Sequence, residues 1–297
     1  MTGAVIDLGT NTFNLLIFKK QGLQNTIIFN HKEGVALGMG GINNNTITPD
    51  AFERGIQTLE NFKFICEKHG VETVRAIGTS ALRGAENKDE FIEAVFDMTG
   101  IPVSIIDGDT EAELIYQGIK TAHHFEADSI ILDIGGGSSE FIFANNEDVI
   151  KSKSFDIGVS RIYQQFEFSD PLNNHDIDEI INYLETKTKG FFEGINTHIL
   201  VGASGSFETF YELIENIDFP NNQQSQEIST EKLRLCLDHL IASSLNERKQ
   251  NDRIIPIRKI MAPIAAVKVM WLMDKLDINT IYVSPNSMKE GMMAHLF

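Results

Sequence analysis

Two aspartates in this chain sit in the same local pattern. Asp7 closes an apolar run in AVIDLGTNTFNLLIF, and Asp133 closes one in IILDIGGGSSEFIF. Each is followed by a turn of small residues and a second apolar run, which predicts a buried strand, a tight tip and a strand returning antiparallel. The tips are Gly9, Thr10, Asn11 and Thr12 in the first copy and Gly135, Gly136, Gly137, Ser138 and Ser139 in the second. Glycine lets backbone approach a ligand closely, although a lone Gly-Gly-Gly is equally a turn that needs glycine for geometry alone. Two such tips, each beside a carboxylate, suit phosphates and a divalent cation, because amides can face the anion and the carboxylate the metal. As a facing pair, Asp7 and Asp133 suit magnesium, which takes one or two carboxylates plus substrate phosphates and keeps several waters. Glu140 opens the second return strand where the first has Asn14. It reads either as a helper carboxylate for metal or water, or as a plain edge-strand glutamate.

Other side chains carry less by pattern. Asp109, Glu111 and Glu113 fall in the first turn of a predicted helix in DGDTEAELIYQGI. Acids are favoured there by the helix dipole and as caps, with no function required. The second copy, SPNSMKEGMM, is read as lacking a matching acidic first turn. Arg83 in TSALR and Arg161 in GVSRI suit either a phosphate or a surface ion pair. Arg248, Lys249, Arg253, Arg258 and Lys259 form the one basic concentration, either a guide for a long polyanion or a solvated face. The 8 histidines show no metal-ligand spacing, and no nucleophile motif is present.

The elements that must position these residues also come in two copies. Val35, in KEGVALG, follows the first hairpin at nearly the spacing by which Val159, in FDIGVSR, follows the second; Gly78 and Gly202 match in the same way. Between them each half has an amphipathic helix, one with Phe52, Ile56, Leu59, Phe62 and Cys66 at steps of three and four, the other with Ile177, Ile180, Ile181 and Leu184. Each half closes with strand, turn and helix. Self-similarity over so long a period predicts two copies of one domain, residues 1–122 and 123–297, with a final helix at about 286–297 that packs either on its own half or back on the first. The stretch from Asn216 to Ser229, with PNNQQSQ at its centre, reads as a loop.

A chain of 297 residues suits about two domains. The net charge of −17 argues against a general nucleic-acid binder, which needs Lys and Arg to neutralise phosphates. It leaves open a small polyanion met locally and with metal ions. The 2 cysteines, Cys66 and Cys236, lie in apolar helical settings and read as buried thiols of a reducing compartment. No leader pattern and no apolar run of spanning length is seen, so a cytoplasmic protein without membrane attachment is expected.

Taken together, AVIDLGTNTFNLLI, AIGTSALR, IIDGDTEAELIYQGI, ILDIGGGSSEFIF, SFDIGVSRI, LVGASGSFET and IYVSPNSMKEGM resemble the exopolyphosphatase / guanosine pentaphosphate phosphohydrolase (Ppx/GppA) family, in the family's order and over nearly the whole chain. The resemblance implies an α/β fold of duplicated actin-like ATPase (ribonuclease H-like) domains flanking an interdomain cleft. It implies Mg2+-assisted hydrolysis of terminal phosphoanhydride bonds, with polyphosphate or guanosine pentaphosphate as substrate, and a homodimer. By residue matching, Glu111 falls on the family's catalytic carboxylate, and Asp133 and Glu140 on carboxylates near metal and water. The 135–138 turn falls on the phosphate-binding loop, and Arg83 on the arginine of the TSALR-type motif. Two departures stand out. The order Thr110, Glu111, Ala112, Glu113 replaces the usual pair of acids, alanine and basic residue, and LVGASGSFET replaces the usual glycine-threonine version. The early end after the second domain implies a short form without extra helical domains. Rival readings are a phosphotransferase and a polyphosphate or alarmone sensor that binds without hydrolysis. An aromatic at the cleft, Phe207 or Phe210, would favour a nucleotide.

Overall fold

The computed structural model describes residues 1–22, 24–220 and 224–297. In the first half, β1 (Thr2–Leu8), β2 (Thr12–Gln21), β3 (Gln24–Gly34), α1 (Pro49–Lys68), β4 (Thr73–Gly78), α2 (Ser80–Gly84), α3 (Lys88–Thr99), β5 (Val103–Ile105) and α4 (Gly108–Lys120) follow one another. Their five strands form a mixed sheet in the order β3-β2-β1-β4-β5. In the second half come β6 (Ser129–Ile134), β7 (Ser139–Ala144), β8 (Val149–Phe155), α5 (Val159–Gln165), α6 (Asn174–Lys187), β9 (Ile199–Ala203), α7 (Ser204–Glu215), β10 (Gln226–Ile228), α8 (Thr230–Ala242), α9 (Leu245–Gln250), α10 (Ala262–Lys275), β11 (Thr280–Val283) and α11 (Met288–Leu296). The sheet order is β10-β11-β9-β6-β7-β8. Two halves thus share one plan, the duplicated actin-like architecture that the resemblance implied.

The repeat is visible in strand register. β1 pairs antiparallel with β2 and places Asp7 opposite Asn14; β6 pairs with β7 and places Asp133 opposite Glu140. Each first strand also runs parallel to a later one, β1 to β4 and β6 to β9. β6 has partners on both edges and is buried along its whole length, as a continuous apolar run requires. β3 lies at the sheet edge, and its residues alternate between exposed and half-buried as far as His31.

Helix α1 buries Ala51, Gly55, Leu59, Phe62 and Cys66 against the first core. Phe52 and Ile56 pack at that core's margin. In α6, Ile180 and Leu184 face the second core, and Asn173 and Asp176 form a capping box at its start. Part of the expected 216–229 loop is instead the short strand β10, which pairs antiparallel with β11; residues 221–223 lie outside the described residues. A strand of three residues on the sheet edge leaves almost no periodic signal to read.

The last helix of each half crosses over. α4 packs on β7 and β8 of the second sheet, whereas α11 packs on β1 and β2 of the first, and the two helices pack on each other. Glycines make this close crossing feasible. A Cβ on Gly118 would lie 1.8 Å from the Ser287 carbonyl oxygen, and one on Gly291 would lie 1.8 Å from that of Leu114. Around the pair, Val5, Leu16 and Phe18 from one sheet and Ile131, Ile142 and Val201 from the other join a third apolar cluster between the halves. Glu290 does occupy the first turn of α11, contrary to the sequence reading. It accepts from the Ser287 amide at 2.9 Å and pairs with Lys289 at 3.1 Å, so it serves as a cap.

Candidate active site

Both hairpin tips line one cleft between the halves, and each is tied down in the same way. The Thr10 and Asn11 carbonyls accept backbone N–H bonds from Gly38 and from Val35 and Ala36. The Gly135, Gly136 and Gly137 carbonyls accept from Val159, Ser160 and Gly158. The Val35 and Val159 landmarks therefore belong to segments that fix the tips. With these carbonyls occupied, the amides of Thr10, Asn11, Gly136 and Gly137 have no protein acceptor among the described residues and remain available to an anion.

The tips also meet. Ser160 Oγ donates to Asn11 Oδ1 at 2.5 Å. A Cβ on Gly136 would lie 2.7 Å from the Asn11 side chain, and one on Gly137 would lie 2.7 Å from Thr10 Oγ1 and 2.6 Å from Ser80 Oγ. A side chain at either position would displace side chains of the other half, so glycine keeps the two tips in close contact. Ser80 Oγ lines the cleft, buried and without a partner among the described residues.

Five carboxylates line the same cleft, and four of them are raised by burial. Burial pushes the Asp7 carboxyl up to about 6, with the charge of Asp133 adding to the rise and a 2.9 Å hydrogen bond from Asn14 opposing it. Burial likewise raises Asp133, against a 2.8 Å bond donated by Ser287 at the start of α11. Glu140 is pushed up to about 7 by burial and then by Asp133, with Ser154 Oγ donating at 2.7 Å. Glu111, in the first turn of α4, is 6% exposed. Burial and the charge of Glu140 raise it well above the usual carboxylate range, while Arg83 opposes at 2.9 Å. α4 starts at this spot because Asp107 caps it, accepting from the Thr110 amide at 2.8 Å.

Every expected phosphate- or metal-binding residue except Arg83 lines the cleft. Arg83 lies behind it, where Nη1 donates both to Glu111 and to the Ile106 carbonyl at 3.1 Å. Arg161 also plays a structural part, donating to the carbonyls of Gly137 at 3.1 Å and Ile42 at 3.2 Å. The basic concentration disperses: Arg248 is buried against Asp170, Arg253 bonds Asn216 and Asp218, and Arg258 enters the cleft.

A cation group in the cleft is signalled in the sequence only through Arg258. Lys32 of β3 reaches across to Glu208 of α7 at 3.1 Å, and Arg258 donates to Thr209 Oγ1 at 3.0 Å. Burial acts to raise Glu208, but Lys32, Arg258 and Lys289 outweigh it and hold the carboxyl at about 2. Lys289 is also paired with Glu290, and Arg258 also feels Glu212, so the group is a mixed cluster of cations and carboxylates on one wall of the cleft. Lys32, Glu208 and Lys289 come from three separated segments, so neighbours in the chain give no clue to them.

No three acids, histidines or cysteines among the described residues come together as a ready-made cation cage. The carboxylates nevertheless fit a hydrated magnesium ion. Asp7, Asp133 and Glu140 are all raised by burial, a state that a divalent cation would relieve, and magnesium completes its shell with water and phosphate oxygens. No helix among the described residues is long and apolar enough to cross a membrane.

Comparison with known proteins agrees with this architecture. The chain is 33% identical to a crystallised exopolyphosphatase from Cytophaga hutchinsonii, with TM-score 0.96, covering 100% of this chain and 97% of that one. A PPX-GPPA enzyme from Aquifex aeolicus shares the fold at TM-score 0.82 and 23% identity, covering 99% of both chains. A bifunctional 3-dehydroquinate synthase/phosphatase of Fusobacterium nucleatum is 29% identical over 95% of this chain, which spans 45% of that relative's length. The model of the Ppx/GppA phosphatase family matches residues 16–297, and the chain belongs to that family.

Proposed function

We propose that this chain hydrolyses the terminal phosphoanhydride bond of inorganic polyphosphate with the aid of Mg2+. The observation that carries the reading is the continuity of the cleft. Two amide-rich tips, the buried Glu111 and the Lys32–Arg258–Lys289 group line a single space of about 1260 Å3 including its open mouth. Such a wall can hold more than one phosphate of a chain.

In this reading the tips cradle the terminal phosphates through the amides of Thr10, Asn11, Gly136 and Gly137. Glu111, aligned by Arg83, orients a water in line with the terminal phosphorus and takes its proton. A carboxylate held above its usual range is a competent base near neutrality. Phosphoryl transfer asks for positioning and electrostatic stabilisation more than covalent chemistry. A magnesium ion held by Asp7 and Asp133, with Glu140 beside them, would neutralise charge on the phosphate oxygens. The Lys32–Arg258–Lys289 group takes the next phosphates.

Guanosine pentaphosphate is the second reading. Phe210 is the one aromatic residue that lines the cleft among the described residues, and it is 1% exposed; Phe207 lies beneath it in the core. Neither offers a face on which a base can stack, which favours the inorganic chain. The deciding experiment measures phosphate release with Mg2+ from polyphosphate and guanosine pentaphosphate in parallel, with Glu111→Gln as control. Release that depends on Glu111 supports hydrolysis, and the faster substrate separates the readings. Binding without release would identify a sensor.

A further inference from the structure

Behind the second tip lies a lysine that the hydrolytic scheme leaves unused. Lys268, on α10, is 0% exposed. Its Nζ donates to Ser139 Oγ at 2.8 Å and to the Ile157 carbonyl. Ser139 follows the Gly135–Ser138 turn directly. Ile157 directly precedes Gly158, Val159 and Ser160, whose amides hold the carbonyls of that turn. Both ends of the tip's support therefore converge on one ammonium. There is no slack between them, since a Cβ on Gly158 would lie 2.2 Å from the Gly136 carbonyl oxygen.

Packing does not explain the choice of residue. Enclosing an ammonium in a core is costly unless it is paired and hydrogen-bonded. Its one electrostatic partner of note is Glu140 on β7. Of the charged groups on neighbouring elements, Arg161 of α5 bonds Gly137 and Asp156, Glu185 of α6 pairs with Lys275, and Arg234 of α8 pairs with Asp274. We infer that Lys268 is a positioning residue for anion binding: it fixes the 135–138 tip from behind and places a positive charge at the back of the phosphate site.

The inference rests on the reading of that tip as a phosphate site. Burial pushes the Lys268 ammonium down to about 7, with Glu140 opposing. An anion in front of the tip would favour the charged form, and by reciprocity the charged form favours the anion.

The test uses two variants. Lys268→Met removes charge and hydrogen bonds; Lys268→Gln removes the charge and keeps an amide donor, one bond shorter, directed at Ser139 and Ile157. With tripolyphosphate and Mg2+ at pH 6.5, KM should rise about tenfold in both, a typical size for coupled sites, with a smaller change in kcat. The gap between wild type and variants should narrow as pH rises past 7, where the lysine loses its proton. Wild-type KM in both variants, or in Lys268→Gln alone, would overturn the inference, the latter leaving only a structural tie. Should the variants not fold, wild-type protein carrying 13Cε-lysine gives a second readout. The Lys268 resonance should titrate near neutrality and move up by about one pH unit with tripolyphosphate, the counterpart of a tenfold coupling. A midpoint unmoved by saturating tripolyphosphate would also overturn it. Phosphate release by wild type is scored separately, so failure of the hydrolytic reading stays distinct from failure of this one.

Discussion

Arg83 Nη1 lies 2.9 Å from Glu111 Oε2, so the arginine and the carboxylate of the proposed base act as one unit. Glu111→Gln should fold and bind like wild type and lose turnover by about a thousandfold, the scale of a positioned general base. Arg83→Gln should cost about a hundredfold in kcat, the scale of a small misplacement of a reacting group. The sign of the pH effect follows from the charges. Burial and then Glu140 raise Glu111, and Arg83 lowers it, so loss of Arg83 raises it further. The acid limb of kcat should therefore move to higher pH in Arg83→Gln. An unmoved limb would detach the two residues.

The ion pair between Lys32 and Glu208 joins the halves across the cleft. Lys32→Met and Arg258→Met should each raise KM for polyphosphates of several units, and do so less for pyrophosphate, which is too short to extend beyond the tips. Glu208→Gln should lower KM for the long chain, because it leaves Lys32 without its ion-pair partner. Steady-state kinetics across chain lengths checks all three. Equal effects on short and long chains would remove these cations from a distal role.

At the helix crossing, Gly118→Ala or Gly291→Ala would drive a methyl group into a carbonyl oxygen at 1.8 Å. Backbone on both sides leaves little room to yield, so a loss of about 3 kcal/mol is expected, the upper part of the range for overpacking. Urea denaturation measures it. Phosphate release should fall with it, since α4 carries Glu111.

His123, 8% exposed, packs on the Phe125 and Tyr282 rings and is held down to about 4, chiefly by burial. In the unfolded chain a histidine takes its proton near 6.5. Between those values the unfolded state binds more protons, so this residue's stabilising contribution is full above about pH 6.5 and is lost as pH falls towards 4. The linked change is about 3 kcal/mol. The raised cleft carboxylates act in the opposite sense, gaining protons first in the folded state. The comparison must therefore be with His123→Phe, whose stability should fall less than that of wild type between pH 7 and 4.5. Parallel losses in the two proteins would count against the buried neutral imidazole.

The hairpins, their tips and their register were legible because each is a short local pattern written twice. Asp7 with Asn14, and Asp133 with Glu140, lie within a few residues of one another. The contribution of Arg83 was only half legible: its motif stands out, but its partnership with Glu111 depends on where β4 and β5 end. The cation wall was not legible, because Lys32, Glu208 and Lys289 meet only after the halves fold together. Glu290 was missed because nothing in SPNSMKEGMM fixes where the helix starts, and only the capping box at Ser287 puts Glu290 in its first turn. Lys268 lies in an apolar helix where nothing nearby marks its target.

The crossover of α4 and α11 bears on how such a chain arises. Each half lends its closing helix to the other's sheet, so neither half by itself encloses its own apolar surface. A half-length ancestor would have had to meet a second copy and trade helices to bury them. Gene fusion would then have turned an obligate pair into one chain. The same reciprocity means that the halves, expressed apart, should be insoluble alone and recoverable only when supplied together.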